Sequence, residues 1–317
     1  MKTTTFAKLA TQSAISTLPH RLSQFIYFQF QRRLGSLRPY NESPLPRFET
    51  AYKALQIYES KRSNKILSST AFDLGSGWSL IIPLTFHLAG FKTVYTVDLY
   101  RLFSPEIWRE SLMFFKSSNF DVNNFPLLCK RRFNRYLSSD FSSDKDIYSY
   151  LQESGINYIA PADASCLKVQ SETIDLYFSN STLEHINPQA IVPIMSESSR
   201  LLRQEGLAIH RIDYSDHLSH SDSSLSPIEF LKNDRRLYNF FSGNRFAYCN
   251  LLRYGDYIPL LRQSGLNIVD SLHEVDQCVL KELSESSLLG QYSKSLDKYD
   301  VNQLSVRCSW FVASARS

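Results

Sequence analysis

The chain has 317 residues, 43% of them hydrophobic, and a formal net charge of +4. This length can fold as one large domain, alone or with an extension, and the small positive charge does not require a nucleic-acid partner. The five cysteines are scattered, without a Cys-x-x-Cys pair, so they favour a reduced chain in the cytoplasm over a disulfide framework. No stretch predicts a membrane-spanning helix, and the first residues do not predict a signal peptide.

Residues 1–65 are predicted to form a helical N-terminal extension or cap. Residues 6–30 have helical spacing and are rich in aromatic and basic side chains, and another helix is predicted over about 48–58. The proline-rich residues 38–46 between them predict a linker. Basic and aromatic side chains also suit a membrane surface. Residues 1–40 could therefore make a peripheral membrane contact, but a cap over the core or a cofactor is the preferred interpretation.

From residue 66 onward, strands alternate with helices. Seven strands are predicted, over about residues 71–73, 93–98, 157–160, 174–179, 206–212, 266–269 and 304–314. Helices are predicted over 79–89, from Pro188 after an Asn187 N-cap, and over 255–264. This alternation predicts a mostly parallel α/β sheet that binds ligands at the carboxyl ends of its strands. Residues 99–150 and 215–254 are too long for plain connections, so we expect substrate-side insertions there.

A Gly-rich turn follows the first predicted strand. Asp73 ends the strand, Gly75 and Gly77 follow, and an apolar helix comes next. Glycine is needed where φ is positive or where a ligand contacts the main chain, and the helix offers free N–H groups at its N-terminus. Asp98 ends the second strand and Asp163 follows the third. An acid one strand–helix–strand unit after such a turn is typical of a ribose-binding residue.

Five stretches carry a likeness to a known family: Asp73-Leu74-Gly75-Ser76-Gly77, Val97-Asp98-Leu99, Ala162-Asp163-Ala164, residues 174–186 and residues 201–207. In this order they resemble the class I S-adenosylmethionine-dependent methyltransferases, of the kind called methyltransferase type 11. The resemblance runs from about residue 66 to the C-terminus. It implies a Rossmann-like sheet of seven strands with the last strand antiparallel, S-adenosyl-L-methionine as cofactor, and transfer of a methyl group, which we expect at oxygen.

The resemblance also implies a cofactor site, made of Asp73, Gly75, Ser76, Gly77, Asp98, Leu99, Asp163, Ala164 and Asn180. The two glycines would let the backbone approach the methionine part of the cofactor, and Asp73 would support the turn and the cofactor's ammonium group. Asp98 would accept hydrogen bonds from both ribose hydroxyls. Asp163 would accept one from the adenine amine, and Asn180 would border the sulfonium.

The three residues that follow Gly77 distinguish this turn from the glycine-rich turns of other nucleotide-binding proteins. Trp78 is bulky, and Ser79 stands where the family often has a third glycine. A nicotinamide-binding Rossmann turn is the rival interpretation, but it requires glycine where Leu80 stands. The sequence therefore favours the methyltransferase.

Candidate catalytic residues lie in residues 210–220, after the fifth strand. Transfer to a hydroxyl requires alignment of the reacting groups and removal of a proton. His217 is predicted to be the base or a substrate-orienting group, with Asp213 or Asp216 as its partner. An equally good interpretation is that these residues hydrogen-bond the loop together. His210, inside the strand, is expected to be a core residue.

No metal site is predicted. Some family members bind a divalent ion through Glu-x-x-Glu-His, but Ser181 stands at the first Glu position before Glu184 and His185. The ligand set is then incomplete, so activity is expected to survive a chelator.

The methyl acceptor stays open among a small molecule, a sugar and a lipid-linked compound. The basic group Lys130, Arg131, Arg132 and Arg135 could bind an anionic substrate group, or could be a solvated face. It lacks the extended basic and aromatic stripe of an RNA-binding surface. The alternative to an enzyme is a non-catalytic S-adenosylmethionine-binding scaffold or regulatory protein.

Overall fold

The computed structural model describes residues 3–35, 37–39, 43–62, 66, 68–220, 222–232, 244–285, 296 and 298–316. Several predicted segments lie partly outside the described residues: residues 1–2, 36, 40–42 and 63–65 of the N-terminal extension with its linker, and residues 221 and 233–243 of the second insertion. The strands are β1 (Thr70–Leu74), β2 (Thr93–Val97), β3 (Ile156–Ile159), β4 (Ile174–Asn180), β5 (Leu202–Asp213), β6 (Leu266–Val275) and β7 (Val306–Ala315). The described helices are α1 (Thr3–Ser16), α2 (His20–Leu34), α3 (Leu45–Lys61), α4 (Ile81–Ala89), α5 (Pro105–Ser117), α6 (Lys130–Ser138), α7 (Asp144–Glu153), α8 (Pro188–Leu201), α9 (Glu229–Lys232), α10 (Tyr254–Gln263), α11 (Gln277–Ser284) and α12 (Val301–Ser305).

The seven strands form one sheet in the order β3-β2-β1-β4-β5-β7-β6. Strands β1 to β5 pair in parallel, and β7 runs antiparallel to both of its neighbours, β5 and β6. The predicted fold, a seven-stranded Rossmann-like methyltransferase sheet with an antiparallel last strand, is confirmed. Strand β5 begins earlier than predicted, at Leu202, because a register irregularity opposite Ile174 and Leu176 lets it pair with both ends of β4.

The predicted helix over residues 6–30 is divided into α1 and α2 at Pro19. Proline disfavours the helical conformation of the residue before it and has no N–H to donate, so a helix ends there readily. Helix α8 begins as predicted, because the Asn187 side chain accepts a hydrogen bond from Gln189 N at 3.1 Å and Pro188 occupies the first position. Among the described residues, none of the helices has both the length and the apolar character that a membrane crossing requires.

Helices cover both faces of the sheet. Side chains alternate across β4, so that Phe178 packs with α3 to α7 on one face and Tyr177 packs with α8 and α10 on the other. Phe72 of β1 stacks on Tyr177 with ring centroids 4.5 Å apart. Helix α3 shares the first of these cores through buried residues such as Phe48 and Leu55. The predicted boundary at residue 65 stays a prediction.

Most of the segment 99–150 packs into the hydrophobic core on one face of the sheet. Trp108 of α5 and Tyr136 of α6 are fully buried, and their rings meet edge to face with centroids 5.6 Å apart. This aromatic layer covers α4 on one face of the sheet. Only the start of the segment, with Tyr100 and Leu102, reaches the cavity described below.

Candidate functional site

The two glycines of the turn after β1 have different surroundings. Gly75 has φ +88° and Gly77 has φ +63°, both in the left-handed region that favours glycine. A Cβ atom on Gly75 would lie 2.4 Å from Thr182 Oγ1, whereas one on Gly77 would meet no atom within 4 Å. Gly75 therefore lets the exit of β4 pack on the turn, and Gly77 leaves open space in which a ligand can reach the main chain.

Asp73 is fully buried behind this turn. Thr96 Oγ1 lies 2.8 Å from Asp73 Oδ2 and 2.7 Å from Ser76 Oγ. Burial raises the pKa of Asp73 to about 7, since surroundings of low polarity disfavour the charged form. The side chain orders the turn through Thr96, and its predicted effect on a cofactor's ammonium group stays a prediction.

Asp98 follows β2 and faces the turn. Its Oδ2 accepts a hydrogen bond from Gly77 N and its Oδ1 accepts one from Tyr100 N, both at 3.0 Å. Each carboxylate oxygen has a further lone pair, so Asp98 can also accept hydrogen bonds from a diol such as ribose. The backbone N–H of Ala162 donates to Asp98 O at 2.9 Å, which brings the loop containing Asp163 beside Asp98.

The other predicted cofactor residues lie along the same edge of the sheet. Asp163 is exposed, and hydrogen bonds from the Ser165 N–H and hydroxyl hold its pKa below the usual value. Ala164 is buried and Leu99 is exposed. At the end of β4, the Asn180 side-chain oxygen accepts a hydrogen bond from an arginine of β5 at 3.3 Å. The structure thus gathers this set around the turn, with Gly77 and Asp98 in direct contact.

Helix α2 covers this edge of the sheet through two aromatic stacks. The rings of Phe28 and Trp78 have centroids 4.9 Å apart, and those of Tyr27 and Phe246 have centroids 4.0 Å apart. They border a cavity of about 310 Å³. The residues that line it are Gln24, Tyr27, Trp78, Tyr100, Leu102, His185, Arg245, Phe246 and Tyr248. The cavity therefore connects the glycine turn, the loop after β2 and the exit of β4.

Three histidines from two loops meet beside the cavity. The rings of His185 and His217 have centroids 4.9 Å apart, and those of His217 and His220 have centroids 5.2 Å apart. Burial and the neighbouring His185 lower the pKa of His217 to about 4, so its ring is neutral at pH 7 and keeps a lone pair. Burial opposes the ionisation of Asp213, but hydrogen bonds from Ser215 and the nearby histidines keep its pKa below the usual value.

The structure separates the two acids that were predicted as partners of His217. Asp213 lies close enough to His217 for their charges to interact. Asp216 is buried, and its Oδ1 accepts a hydrogen bond from Leu218 N at 2.9 Å. Burial raises the pKa of Asp216 to about 6, and its carboxyl group holds the loop. His210 is fully buried in β5, as expected of a core residue.

Reasoning from sequence does not single out Cys249, and it considers Glu184 only as part of an incomplete metal motif. Cys249 Sγ lies 3.7 Å from His185 Nδ1, although the two residues are 64 positions apart. Glu184 is buried, its Oε1 accepts a hydrogen bond from Asp213 N at 3.3 Å, and burial raises its pKa to about 8. No local spacing connects Cys249 to His185, so only the folded chain shows the contact.

The basic group on α6 lies away from this site. Arg131, Arg132 and Arg135 border a different cavity of about 410 Å³, near the amino ends of β2 and β3. Arg132 donates hydrogen bonds to the backbone oxygens of His87 and Phe91 at 2.5 and 2.8 Å. This arginine therefore satisfies carbonyl groups at the end of α4, and the group does not face the acceptor cavity.

The family model described as a methyltransferase domain matches residues 123–210. The match includes Asp163 and Asn180, while the glycine turn and Asp98 precede it. The resemblance inferred from the sequence is confirmed, and so are the activity, a methyltransferase, and the cofactor, S-adenosyl-L-methionine. No curated protein matches the sequence.

Several solved structures are similar to this chain at low identity. A Pyrococcus horikoshii protein is 14% identical, with 91% of this chain and 99% of that chain covered and a TM-score of 0.49. A geranyl diphosphate C-methyltransferase from Streptomyces coelicolor is 13% identical, with 86% and 80% covered and a TM-score of 0.47. A phosphoethanolamine N-methyltransferase from Haemonchus contortus is 14% identical, with 91% and 60% covered and a TM-score of 0.45. The fold assignment rests on the strand order rather than on these likenesses.

Proposed function

We propose that this methyltransferase acts on an oxygen atom of a small apolar or aromatic acceptor, free or linked to a lipid. The cavity beside the glycine turn is the observation that supports this acceptor. Its walls include Tyr27, Trp78, Tyr100, Phe246 and Tyr248. Aromatic walls favour flat or apolar ligands.

The glycine turn and Asp98 are the proposed site of S-adenosyl-L-methionine, which supplies an activated methyl group when bound. The open space at Gly77 and the half-buried Asp98 carboxylate fit a nucleoside with an attached chain. Tyr100 lies two residues after Asp98 and lines the acceptor cavity. The two sites are therefore adjacent, and alignment of acceptor and methyl group would supply much of the catalysis.

We place the group that acts on the acceptor's proton in the cluster of His185 and His217. His185 lines the cavity, and His217 lies behind it with Asp213 nearby. Asp216 is a weaker candidate because its carboxyl group is held by the loop backbone. The sequence-based role of His217 is retained in this proposal.

The test uses labelled cofactor with cell-lysate fractions to find an acceptor, followed by kinetics on variants. His217→Ala is expected to lower turnover at least about 100-fold, the scale of a lost general base, while S-adenosylhomocysteine affinity stays within a factor of two. His220→Ala is the matched control, because His220 lies in the same loop and bonds to Ser215. If both variants lost turnover equally, the histidines would only hold the loop together, and His217 would have no role in proton removal.

The non-catalytic alternative makes a different prediction for the same experiment. A scaffold or regulatory protein would bind the cofactor, yet no fraction would be labelled by the wild-type chain. Labelling that depends on Asp98 would exclude the scaffold.

A peripheral membrane contact through residues 1–40 is a further proposal about partners, for a protein of the cytoplasm. Leu22, Phe25 and Leu34 of α2 are 47%, 62% and 72% exposed, and Arg21 and Arg33 are exposed beside them. Such a surface suits the interface of an anionic membrane. Binding to anionic liposomes that is lost in Phe25→Ser would support it, and no binding by the wild-type chain would exclude it.

A further inference from the structure

Three side chains with metal-binding atoms converge beside the acceptor cavity from separate parts of the chain. His185 follows β4, His217 follows β5, and Cys249 precedes α10. Their ligand atoms all lie within 4.8 Å of one another. We propose that His185, His217 and Cys249 bind a zinc ion. This reverses the expectation, drawn from the incomplete Glu-x-x-Glu-His motif, that the protein needs no metal.

The spacing of the three atoms is close to that of a zinc site. With bonds of about 2.0–2.3 Å and tetrahedral angles, zinc places its nitrogen and sulfur ligands roughly 3.3–3.6 Å apart. The largest separation here is 4.8 Å at most. The atoms would therefore have to move about an ångström closer to one another to form the site, a shift on the scale of side-chain rotations.

The His185 ring is held in the way that zinc-binding histidines usually are. Its Nδ1 lies 2.8 Å from Tyr248 O, and a carbonyl oxygen only accepts, so Nδ1 must carry the proton. The lone pair is then on Nε2, which would bind the metal, whereas the 3.7 Å contact with Cys249 Sγ is made by Nδ1. A backbone carbonyl that fixes the tautomer of a histidine ligand is a common outer partner of zinc. On the other side, His220 stacks on His217 and limits the rotation of that ring.

Asp213 interacts electrostatically with His217 and can compensate part of the charge of a divalent cation, and the carboxyl group of Glu184 lies next to Asp213. The backbone N–H of Asp213 donates to Glu184 Oε1 at 3.3 Å, and Glu184 directly precedes His185. Glu184 Oε2 is buried and has no hydrogen-bond partner among the described residues. Two imidazoles and one thiolate select zinc over magnesium or calcium, which prefer oxygen ligands.

Three protein ligands leave a fourth position on zinc open, which is the pattern of catalytic sites. His185 is exposed and lines the acceptor cavity, so that position can receive an acceptor oxygen. This role rests on the proposed function. A hydroxyl bound to zinc would lose its proton to solvent more readily. The acceptor oxygen would then give an electron pair to the methyl carbon as the carbon–sulfur bond breaks, and a neutral thioether would leave. In this scheme His217 would hold the metal and would not act as the base, so solvent would take the proton in place of the His217 ring.

The metal site is tested without any turnover assay. The full-length protein is stripped with a chelator and titrated with Co²⁺, which gives a thiolate-to-metal absorption band when a cysteine binds it. We expect a single Co²⁺ per chain, the thiolate band, and displacement by Zn²⁺. Cys249→Ser should lose the band. It should also weaken Zn²⁺ binding by more than about 10–100-fold, which is the loss expected when only an outer partner of a ligand is changed. Cys278→Ser, at an exposed cysteine elsewhere, is the matched control and should behave as wild type.

Further variants and a parallel measurement separate this proposal from the proposed function. His217→Gln should keep the thiolate band but weaken binding, which distinguishes a lost ligand from a misfolded chain. A band that persists in Cys249→Ser, or its absence from the wild-type protein, would overturn the zinc site. Calorimetry with S-adenosylhomocysteine on the same stripped protein reports on the cofactor site. If the cofactor binds but no cobalt band is seen, the zinc site is wrong and the cofactor site is supported. If the cobalt band is seen but no acceptor is ever labelled, the zinc site is supported and the proposed enzyme activity is wrong.

Discussion

Replacing Gly77 with alanine tests whether the open space at the turn belongs to the cofactor. The residue has φ +63°, and its new Cβ would meet no atom within 4 Å. The free energy of unfolding should then fall only by the cost of holding alanine in the left-handed conformation, about 1–2 kcal/mol. The methyl group would, however, occupy the space through which a ligand approaches the backbone. We expect the affinity for S-adenosylhomocysteine to fall about tenfold or more, which corresponds to about 1.4 kcal/mol.

Gly75→Ala is the matched comparison, because it sits in the same turn but faces protein. Its φ is +88°, and its Cβ would lie 2.4 Å from Thr182 Oγ1 and 2.9 Å from Thr182 Cγ2. The hydroxyl of Thr182 also bonds to Leu74 O at 3.1 Å, so this side chain cannot withdraw without losing that bond. Adding an overpacking cost of about 1–3 kcal/mol to the backbone cost gives a total of roughly 2–5 kcal/mol.

The assay combines urea unfolding, followed by circular dichroism, with calorimetric titration of S-adenosylhomocysteine. Gly75→Ala should lose clearly more stability than Gly77→Ala, and Gly77→Ala should lose affinity while it remains folded. Wild-type affinity in a folded Gly77→Ala protein would refute the cofactor assignment of the open space. A Gly75→Ala protein as stable as Gly77→Ala would refute the packing argument for Thr182.

Three further predictions concern charged groups. Burial raises the pKa of Asp73 from 3.8 to about 7, so the folded state keeps a proton that the unfolded chain has lost. The free energy of unfolding should therefore fall as pH rises through that window, by up to about 1.4 kcal/mol per unit, and urea unfolding of Asp73→Asn should show a smaller fall. Asp98→Asn should weaken S-adenosylhomocysteine binding about tenfold or more in calorimetry. Arg32→Ala breaks ion pairs with Glu110 (2.5 Å) and the largely exposed Glu106 (2.7 Å), and should cost about 1–2 kcal/mol in urea unfolding, less at high salt.

The sheet could be predicted from the sequence because each strand is a short apolar run with its own boundary. In β7, Val306, Cys308, Trp310 and Val312 alternate with the residues between them, and this period of two marks the strand. The periodicity of residues 6–30 is enough to predict helix, but it does not by itself show the division into α1 and α2 at Pro19. The role of α5 to α7 was harder to predict, because aromatic residues at helical spacing fit a pocket and a core equally well.

The cofactor residues were predictable for a related reason. A parallel sheet brings the carboxyl ends of β1 and β2 to one edge, so Asp73, Gly77 and Asp98 are neighbours by topology alone. The requirement for glycine at position 75 cannot be predicted this way, because it arises from contact with Thr182 at the exit of β4. The contact of Cys249 with His185 cannot be predicted for the same reason, since it depends on the path of a long loop.

That loop, residues 244–250, connects the cover of the site with its proposed metal ligands. Phe246 stacks on Tyr27 of α2, and Arg245 donates hydrogen bonds to backbone oxygens at the end of α1. Two residues further on, Tyr248 O holds the His185 ring, and Cys249 completes the cluster. Because so short a segment makes both sets of contacts, a displacement of α2 that breaks the Tyr27 stack must also disturb the carbonyl and thiol beside His185. Zinc bound at His185 and Cys249 would in turn stiffen the loop, and α2 would then be held more firmly over the glycine turn.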